Sequence, residues 1–137
     1  MASRGVVILF DENMPERLAA ALRDQLGERA LHVADVLERG TPDAAVIRHA
    51  GERGWCMLSA DRRMLRTPGE RAAMAEHGVG AFFLNDSVAG FCAITRAVVR
   101  HWPEMKRIAA SEPRPFLYLV KESSLTRLRR RHLGPPR

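Results

Sequence analysis

The sequence predicts a three-layer α/β/α protein with a central, mostly parallel sheet of about five strands. Short apolar runs of strand length alternate with segments whose apolar residues recur at helical spacing, which is typical of a parallel sheet covered by helices. The first run, Val6 to Phe10, has no polar alternation, as expected of a strand that is buried on both faces. The predicted strands are residues 6–10, 30–36, 56–61, 81–84 and 116–120.

Capping residues indicate where the intervening helices begin and end. Asn13 and Thr41 are predicted to N-cap the first two helices, because their side-chain oxygens can accept hydrogen bonds from free backbone N–H groups. Gly27 and Gly54 are predicted to follow the last residues of these helices, where glycine readily adopts a left-handed backbone. A short helix is predicted over residues 69–77.

A longer helix is predicted from residue 88, and its apolar stripe over four turns predicts packing against the core. Pro103 is predicted to kink or end this helix, since proline cannot donate the backbone hydrogen bond. The stripe consists of Val88, Phe91, Cys92, Thr95, Val98, Val99 and Trp102.

Length and composition favour one domain in the cytoplasm. A chain of 137 residues suits a single hydrophobic core. No apolar stretch is long enough to span a bilayer, and the N-terminus has no signal-peptide pattern, so no membrane association is expected. Cys56 and Cys92 lie in unrelated segments and are expected to be reduced thiols. The scattered histidines disfavour a zinc site.

The positive charge is concentrated near the C-terminus. The chain carries a formal net charge of +6, and residues 121–137, with six basic and one acidic side chain, account for +5 of it. We therefore predict a nearly neutral domain, residues 1–122, and a basic tail, residues 123–137. A short helix around Leu125 and Leu128 could present one basic face to phosphate or to an acidic partner, whereas a merely solubilising tail fits equally well. The arginines of that face are Arg127, Arg129, Arg130 and Arg131.

Acidic side chains follow two of the predicted strands. Asp11 and Asp61 each stand where a strand leaves the core, and the carboxyl ends of parallel strands meet at one edge of a sheet. Asp43 opens the second helix in line with its apolar, sheet-facing stripe, and Glu12 adjoins Asp11. Each aspartate alone could be a turn or helix cap, but their combination favours one acidic site.

Clustered carboxylates repel one another, and a divalent cation relieves that conflict. Oxygen ligands without histidine or cysteine favour Mg²⁺ or Mn²⁺, ions suited to phosphodiester chemistry. Removing the charge of Asp61 is therefore expected to leave the metal-free fold at least as stable. Arg62, Arg63 and Arg66 follow Asp61 and could hold substrate phosphates, although a solvated basic loop is equally compatible with them.

From Ile8 to about Leu84, the sequence resembles PIN-like domains, particularly the short VapC-type toxins of toxin–antitoxin pairs. The resemblance is carried by Phe10-Asp11-Glu12-Asn13, by Pro42-Asp43 at the start of a helix, by Ser59-Ala60-Asp61, and by the basic stretch from Arg62 to Arg71. It implies a metal-dependent ribonuclease with Asp11, Asp43 and Asp61 as metal ligands. The implied partners are an RNA substrate and a cognate antitoxin, and homodimerisation stays open.

The chain departs from the fuller PIN pattern in one respect. Fuller domains carry a further acidic residue on a helix between the first two aspartates. Asp35 and Glu38 are the candidates in that short region, and the sequence does not choose between them.

Two other functions remain compatible with the sequence. A receiver-like phosphoacceptor domain also has acids after its first strand, an aspartate at the end of its third and a lysine after its fifth, here Lys121. A catalytically degenerate module could instead use its basic tail to bind RNA or protein. Phosphorylation by acetyl phosphate and metal titration, respectively, separate these alternatives from the nuclease.

Overall fold

A computed structural model describes residues 6–128, which form one six-stranded sheet covered by helices. A 3₁₀ helix spans Arg62–Arg66. The strands are β1 (Ile8–Phe10), β2 (Ala30–His32), β3 (Cys56–Ser59), β4 (Gly80–Leu84), β5 (Phe116–Val120) and β6 (Leu125–Arg127); the α-helices are α1 (Glu16–Leu26), α2 (Val33–Val36), α3 (Asp43–Arg53), α4 (Pro68–Glu76) and α5 (Phe91–Ser111).

The sheet has the strand order β2-β1-β3-β4-β5-β6. Its first five strands are parallel, and β6 pairs antiparallel with β5 at one edge. The predicted fold class, α/β with a mostly parallel sheet, is thus confirmed, with one more strand than expected. No helix within the described residues is long and apolar enough to cross a membrane.

Two hydrophobic clusters, one on each face of the sheet, hold the three layers together. On one face, Phe10 and Phe82 pack with α1 and α5. On the other, Leu9 and Phe83 pack with α3, α4 and the 3₁₀ helix. Alternate residues of each strand point to opposite faces, so the continuous apolar runs serve both clusters.

Strand β2 is shorter than predicted, because His32 turns the chain into α2. The His32 Nδ1 atom accepts a hydrogen bond from the backbone N–H of Ala34 at 3.0 Å, and the Asp35 carboxylate accepts one from the His32 N–H at 3.4 Å. These reciprocal bonds satisfy free donors at the start of α2. The apolar run from residue 30 to 36 therefore divides into a strand and a helix.

The two predicted N-caps are wrong, whereas both C-terminal glycines are confirmed. Pro15 and Pro42 occupy the N-cap positions of α1 and α3, one or two residues after Asn13 and Thr41. A proline there gives up no helical hydrogen bond, since the first N–H groups of a helix have no partner within it. Asn13 is thereby free to bond elsewhere.

Helix α5 runs through Pro103 without ending there. Pro103 leaves the carbonyl of Val99 without its helical donor, and both residues lie on the solvent side. The stripe prediction is right for Val98 and Trp102, which are buried, and wrong for Phe91, Cys92 and Val99, which are exposed.

The start of the predicted basic tail belongs to the sheet. Residues 125–127 form β6 and not a short helix, and Arg127 forms an ion pair with Glu112 at 2.9 Å. The backbone N–H of Leu128 donates to the carbonyl of Leu117 at 2.8 Å, extending the pairing by one residue. Arg129, Arg130 and Arg131 lie outside the described residues.

Candidate active site

The acidic residues gather where the strand order reverses. Strand β1 lies between β2 and β3, so the chain passes from β1 to β2 on one side and then crosses to β3 on the other side of β1. In open parallel sheets, ligands bind in the crevice outside the carboxyl ends of the strands at such a point. Asp11 follows β1, and its backbone N–H donates to the carbonyl of Leu58 in β3 at 2.9 Å.

The Asp11 carboxylate is buried at this point, with 4% of the residue exposed. Its Oδ2 atom accepts a hydrogen bond from the Ser59 hydroxyl at 3.1 Å. Burial raises the pKa of Asp11 above its usual value, and the nearby Asp61 and Glu12 raise it further, against the lowering effect of hydrogen bonds from the Glu12 backbone and Ser59. A buried carboxylate in this position favours binding of either a proton or a cation.

Asn13 and Ser59 fix the ends of β1 and β3 relative to each other. The Asn13 Oδ1 atom accepts a hydrogen bond from the backbone N–H of Ala60 at 3.0 Å, and the Ser59 Oγ atom accepts one from that of Asp61 at 3.0 Å. The sequence analysis assigned no site role to either side chain. The available signal was their place beside Asp11 and Asp61 at the ends of adjacent strands.

Asp43 is the first residue of α3 and is half-buried. Burial raises the pKa of its carboxyl group, followed by the negative charges of Asp11, Glu70, Asp61 and Glu12. The predicted acids therefore do share one electrostatic environment. Glu70 adds a fifth acidic side chain that the sequence analysis did not single out; it lies in the first turn of α4, which packs against α3.

Asp61 differs from the other two aspartates because Arg63 neutralises it. The Arg63 Nε and Nη2 atoms donate to the two carboxylate oxygens at 2.9 and 2.8 Å. Asp61 also accepts a hydrogen bond from the Arg63 backbone at 2.9 Å and thereby N-caps the 3₁₀ helix. The Arg63 side chain is the main cause of the lowered pKa of Asp61. The expectation that the metal-free fold tolerates loss of the Asp61 charge stays a prediction, and these hydrogen bonds argue against it.

The side chain of Glu12 is turned toward the loop before α3. Its Oε1 atom accepts a hydrogen bond from the backbone N–H of Gly40 at 3.2 Å. Glu12 thus holds a loop while contributing negative charge to Asp11 and Asp43.

The three predicted phosphate-binding arginines occupy different environments within the 3₁₀ helix. Arg62 lies 3.5 Å from Asp86, and its buried Nε atom has no hydrogen-bond partner among residues 6–128. Arg63 is occupied by Asp61, and Arg66 is exposed. Arg62 is therefore a half-buried cation with unused hydrogen-bonding capacity beside the acidic residues.

Neither Asp35 nor Glu38 contacts the three aspartates or contributes to the shifts of their pKa values. Asp35 caps α2 and lies 3.6 Å from Arg23. Glu38 is exposed, and its carbonyl accepts a hydrogen bond from the Thr41 hydroxyl at 2.5 Å. Glu70 is better placed than either as the further acidic residue, because its charge acts on Asp43.

The acidic group matches Mg²⁺ or Mn²⁺ in chemistry, since it offers carboxylate oxygens around a buried, proton-attracting aspartate. Within residues 6–128, no three His, Cys, Asp or Glu side chains are arranged closely enough to hold a metal ion. Ion binding by Asp11, Asp43 and Asp61 would therefore require side-chain movement, including release of Asp61 by Arg63.

Comparison with known families identifies the fold. A family described as a PIN like domain matches residues 6–86, more than half of the chain. The chain belongs to the PIN-like domain family. The match includes Asp11, Asp43, Asp61 and Glu70, and a PIN-like fold is of a nuclease type. No curated protein and no solved structure matches the chain.

Proposed function

We propose that this PIN-like protein is a metal-dependent endoribonuclease that hydrolyses RNA phosphodiesters with Mg²⁺ or Mn²⁺. The observation that carries the proposal is the buried Asp11 carboxylate at the reversal of strand order. Further carboxylates act on it, and within residues 6–128 its hydrogen bonds come from Ser59 and the backbone and not from a basic side chain. In a fold of nuclease type, this combination supports phosphodiester hydrolysis.

Asp11 and Asp43 are the primary ligands in this proposal, and Asp61 joins them once its carboxylate leaves Arg63. Glu70 is a further ligand or a general base, because its charge acts on Asp43. Ser59 and Asn13 orient Asp11 and the end of β3. When bound, a divalent cation lowers the pKa of water and neutralises phosphoryl charge.

Substrate phosphates would contact the 3₁₀ helix. Arg62 has a partly exposed side chain, and Arg63 gains two free donors when Asp61 is released. Guanidinium groups bind phosphate oxygens in bidentate fashion, so these arginines can orient the RNA backbone beside the aspartates.

The finer proposal is that the protein is the toxin of a type II toxin–antitoxin pair, as its resemblance to VapC-type toxins suggests. Its partner would then be a protein antitoxin, with the basic C-terminal residues as a docking segment for acidic side chains. Expression of the wild type, but not of Asp11→Asn, should arrest growth of a host cell. Co-expression of the product of a neighbouring small gene should restore growth.

The nuclease proposal is tested by cleavage of structured RNA in Mg²⁺ or Mn²⁺ and by calorimetric titration with Mn²⁺. Asp11→Asn and Asp43→Asn should each abolish cleavage and weaken Mn²⁺ binding strongly. Asp24→Asn is the matched control, because it is the same substitution at an exposed residue near the end of α1. Asp24 is paired with Arg23 there.

Wild-type cleavage that is insensitive to EDTA would overturn metal dependence. Equal Mn²⁺ binding by the wild type and Asp11→Asn would overturn the assignment of the ligands. Protein purified from Asp11→Asn also excludes a contaminating nuclease, since a contaminant would survive this substitution.

A receiver-like phosphoacceptor is the second candidate, and one observation favours it. The order β2-β1-β3-β4-β5 is the one found in flavodoxin-like folds and in response-regulator receivers. Against it, Asp61 is bound on both oxygens by Arg63. Stable labelling of Asp61 by acetyl phosphate would support the receiver and contradict the nuclease.

A degenerate binding module is the third candidate, favoured by the Arg63–Asp61 pair, which already neutralises one proposed ligand. Such a module would bind RNA or protein but would not bind Mn²⁺. The Mn²⁺ titration described for the nuclease therefore separates the two.

A further inference from the structure

Arg17 and Phe91 form a stacked pair on the surface. The guanidinium carbon of Arg17 lies 3.9 Å from the centroid of the Phe91 ring. Phe91 is 38% exposed, and it is one of three large hydrophobic residues exposed within the described chain. An aromatic ring under a planar cation in water is the arrangement on which nucleobases stack.

The pair lies at the same edge of the sheet as the acidic site. Arg17 is the second residue of α1, which follows β1 and Asp11, and Phe91 is the first residue of α5, which follows β4. Helices that follow parallel strands begin at the carboxyl edge of the sheet, because they must return across it. Both residues therefore lie near the edge that carries Asp11.

Phe91 is exposed because α5 is longer than the sheet beneath it. A helix of 21 residues is about 31 Å long, whereas the five-residue strands β4 and β5 span about 17 Å. The fully buried residues of α5 run from Ala97 to Ala109, whereas Ala93 and Ile94 in the first turn are partly buried against the core. Phe91 begins that turn at the carboxyl edge and is exposed.

Arg62 lies between the acidic residues and the segment that leads to Phe91. Arg62, next to Asp61, reaches Asp86 at 3.5 Å, and Asp86 is five residues before Phe91 in the connection from β4 to α5. The Arg62 side chain is 28% exposed, so part of it can be reached from solvent. The carboxyl edge thus carries carboxylates, a partly exposed guanidinium and a stacking pair.

We propose that Arg17 and Phe91 form a binding subsite for one unpaired base of the RNA, with Arg62 holding the phosphate between that base and the acidic site. The substrate class rests on the proposed ribonuclease function. Stacking requires an accessible base face, so the subsite selects single-stranded segments and leaves paired bases unbound. The subsite would direct the RNA strand from the aspartates toward the first turns of α1 and α5.

The test is equilibrium binding of fluorescently labelled oligo(A), measured by anisotropy in EDTA, so that no step depends on metal or cleavage. An abasic ribose-phosphate oligomer of equal length is the reference ligand, because it keeps the charge and lacks the bases. Stacking of one base changes affinity by roughly five- to 150-fold. Phe91→Leu should weaken oligo(A) binding within this range and leave abasic binding unchanged.

Phe91→Trp should retain oligo(A) binding, since it keeps an aromatic face. Arg17→Lys, which keeps the charge but loses the planar group, should weaken binding to oligo(A) more than binding to the abasic oligomer. Val99→Ala is the control, because Val99 is a 49% exposed residue of the same helix. It should change neither affinity.

The subsite is overturned if Phe91→Leu binds oligo(A) like the wild type, or if it loses both ligands equally. Should Phe91→Leu fail to fold, Arg17→Lys decides: equal effects on both ligands reject stacking. The two proposals fail separately. If binding depends on the bases but no cleavage occurs in Mg²⁺ or Mn²⁺, the nuclease proposal is rejected and the subsite is supported. If Asp11→Asn abolishes cleavage but Phe91→Leu binds oligo(A) like the wild type, the nuclease is supported and the subsite is rejected.

Discussion

Arg63 holds both carboxylate oxygens of Asp61, with Nε to Oδ1 at 2.9 Å and Nη2 to Oδ2 at 2.8 Å. The Arg63 side chain is 88% exposed and that of Asp61 is 24% exposed. Solvent weakens such a pair, so it can exchange readily for a stronger counter-charge. Arg63 thus supplies a positive charge to Asp61, the role that the proposed cation would otherwise have.

We expect Arg63→Gln to bind Mn²⁺ roughly two- to fivefold more tightly than the wild type, because Asp61 is then free and a competing cation is gone. Calorimetric titration measures the change. Arg66→Gln is the control, since it removes an exposed arginine of the same 3₁₀ helix. Equal tightening in both variants would mean that only net charge matters, and weaker binding by Arg63→Gln would contradict the exchange.

Asp43 and Asp61 should respond oppositely to neutralisation in the metal-free protein. The folded pKa of Asp43 is raised, so its ionisation costs stability as the pH rises from below 3.8 through the folded pKa. Asp43→Asn lacks that cost. At pH 7 in EDTA its Tm should exceed that of the wild type by about 2–5 °C, and the difference should shrink below the unfolded pKa.

Asp61→Asn is the mirror case. Its folded pKa is lowered, so its charge contributes stability above pH 3.8 that is lost as the pH falls through the folded pKa. Asp61→Asn should therefore melt below the wild type at pH 7 and approach it in acid. Thermal melts across this pH range check both signs, and two variants that shift in the same direction would refute the electrostatic difference between these sites.

The two cysteines should differ sharply in reactivity. Burial raises the pKa of the Cys56 thiol to about 11, whereas Cys92 is exposed in the first turn of α5. Because the thiolate is the reactive form, a maleimide should label Cys92 alone in the native protein and both thiols in denaturant. Mass spectrometry of digested protein counts the labels, and rapid native labelling of Cys56 would contradict its burial.

Truncation should separate the edge strand from the basic residues that follow it. A chain ending at Leu128 keeps β6 and loses four arginines, so its Tm should match the wild type. If those arginines bind RNA, the salt dependence of RNA binding should also become shallower. A chain ending at Ser124 also loses Leu125, which packs against the core, and should melt lower. Comparable melting of both would show that β6 contributes no stability.

If residues 129–137 dock an antitoxin, the chain ending at Leu128 should form a weaker complex with the antitoxin and bind RNA as the wild type does. If they bind RNA, the reverse should hold. Metal affinity should be unchanged in either case, because the proposed ligands belong to residues 11–70. The two binding assays on one truncated protein therefore distinguish the functions proposed for these residues.

The sequence predicted the sheet and the acidic edge because both depend on local patterns. An apolar run followed by an acid identifies the end of a buried strand, and parallel strands bring such ends together, as for Asp11 and Asp61. The charges of Asp11 and Asp61 contribute to the raised pKa of Asp43, behind burial as the main cause. The helix ends at Gly27 and Gly54 could be predicted because glycine readily adopts the left-handed backbone that both residues have.

Side-chain partners from different elements could not be read in this way. Asn13 has the composition of an N-cap, yet it bonds to Ala60, 47 residues away. The exposure of Phe91 depends on the length of α5 relative to the sheet, which no helical stripe encodes. Glu70 could be predicted as a member of the acidic group only by knowing that α4 packs against α3.

The direction of β6 has a consequence for substrate length. Since β6 is antiparallel to β5, the chain reaches Leu128 beside Leu117, near the beginning of β5 and thus opposite the end that carries Asp11. The described part of the chain therefore ends at the pole opposite the aspartates. A dinucleotide lying over the aspartates would be too short to reach from one pole to the other, whereas a long transcript could touch both. If the arginines after Leu128 bind RNA, their loss should accordingly slow the cleavage of long RNAs and spare that of minimal ones.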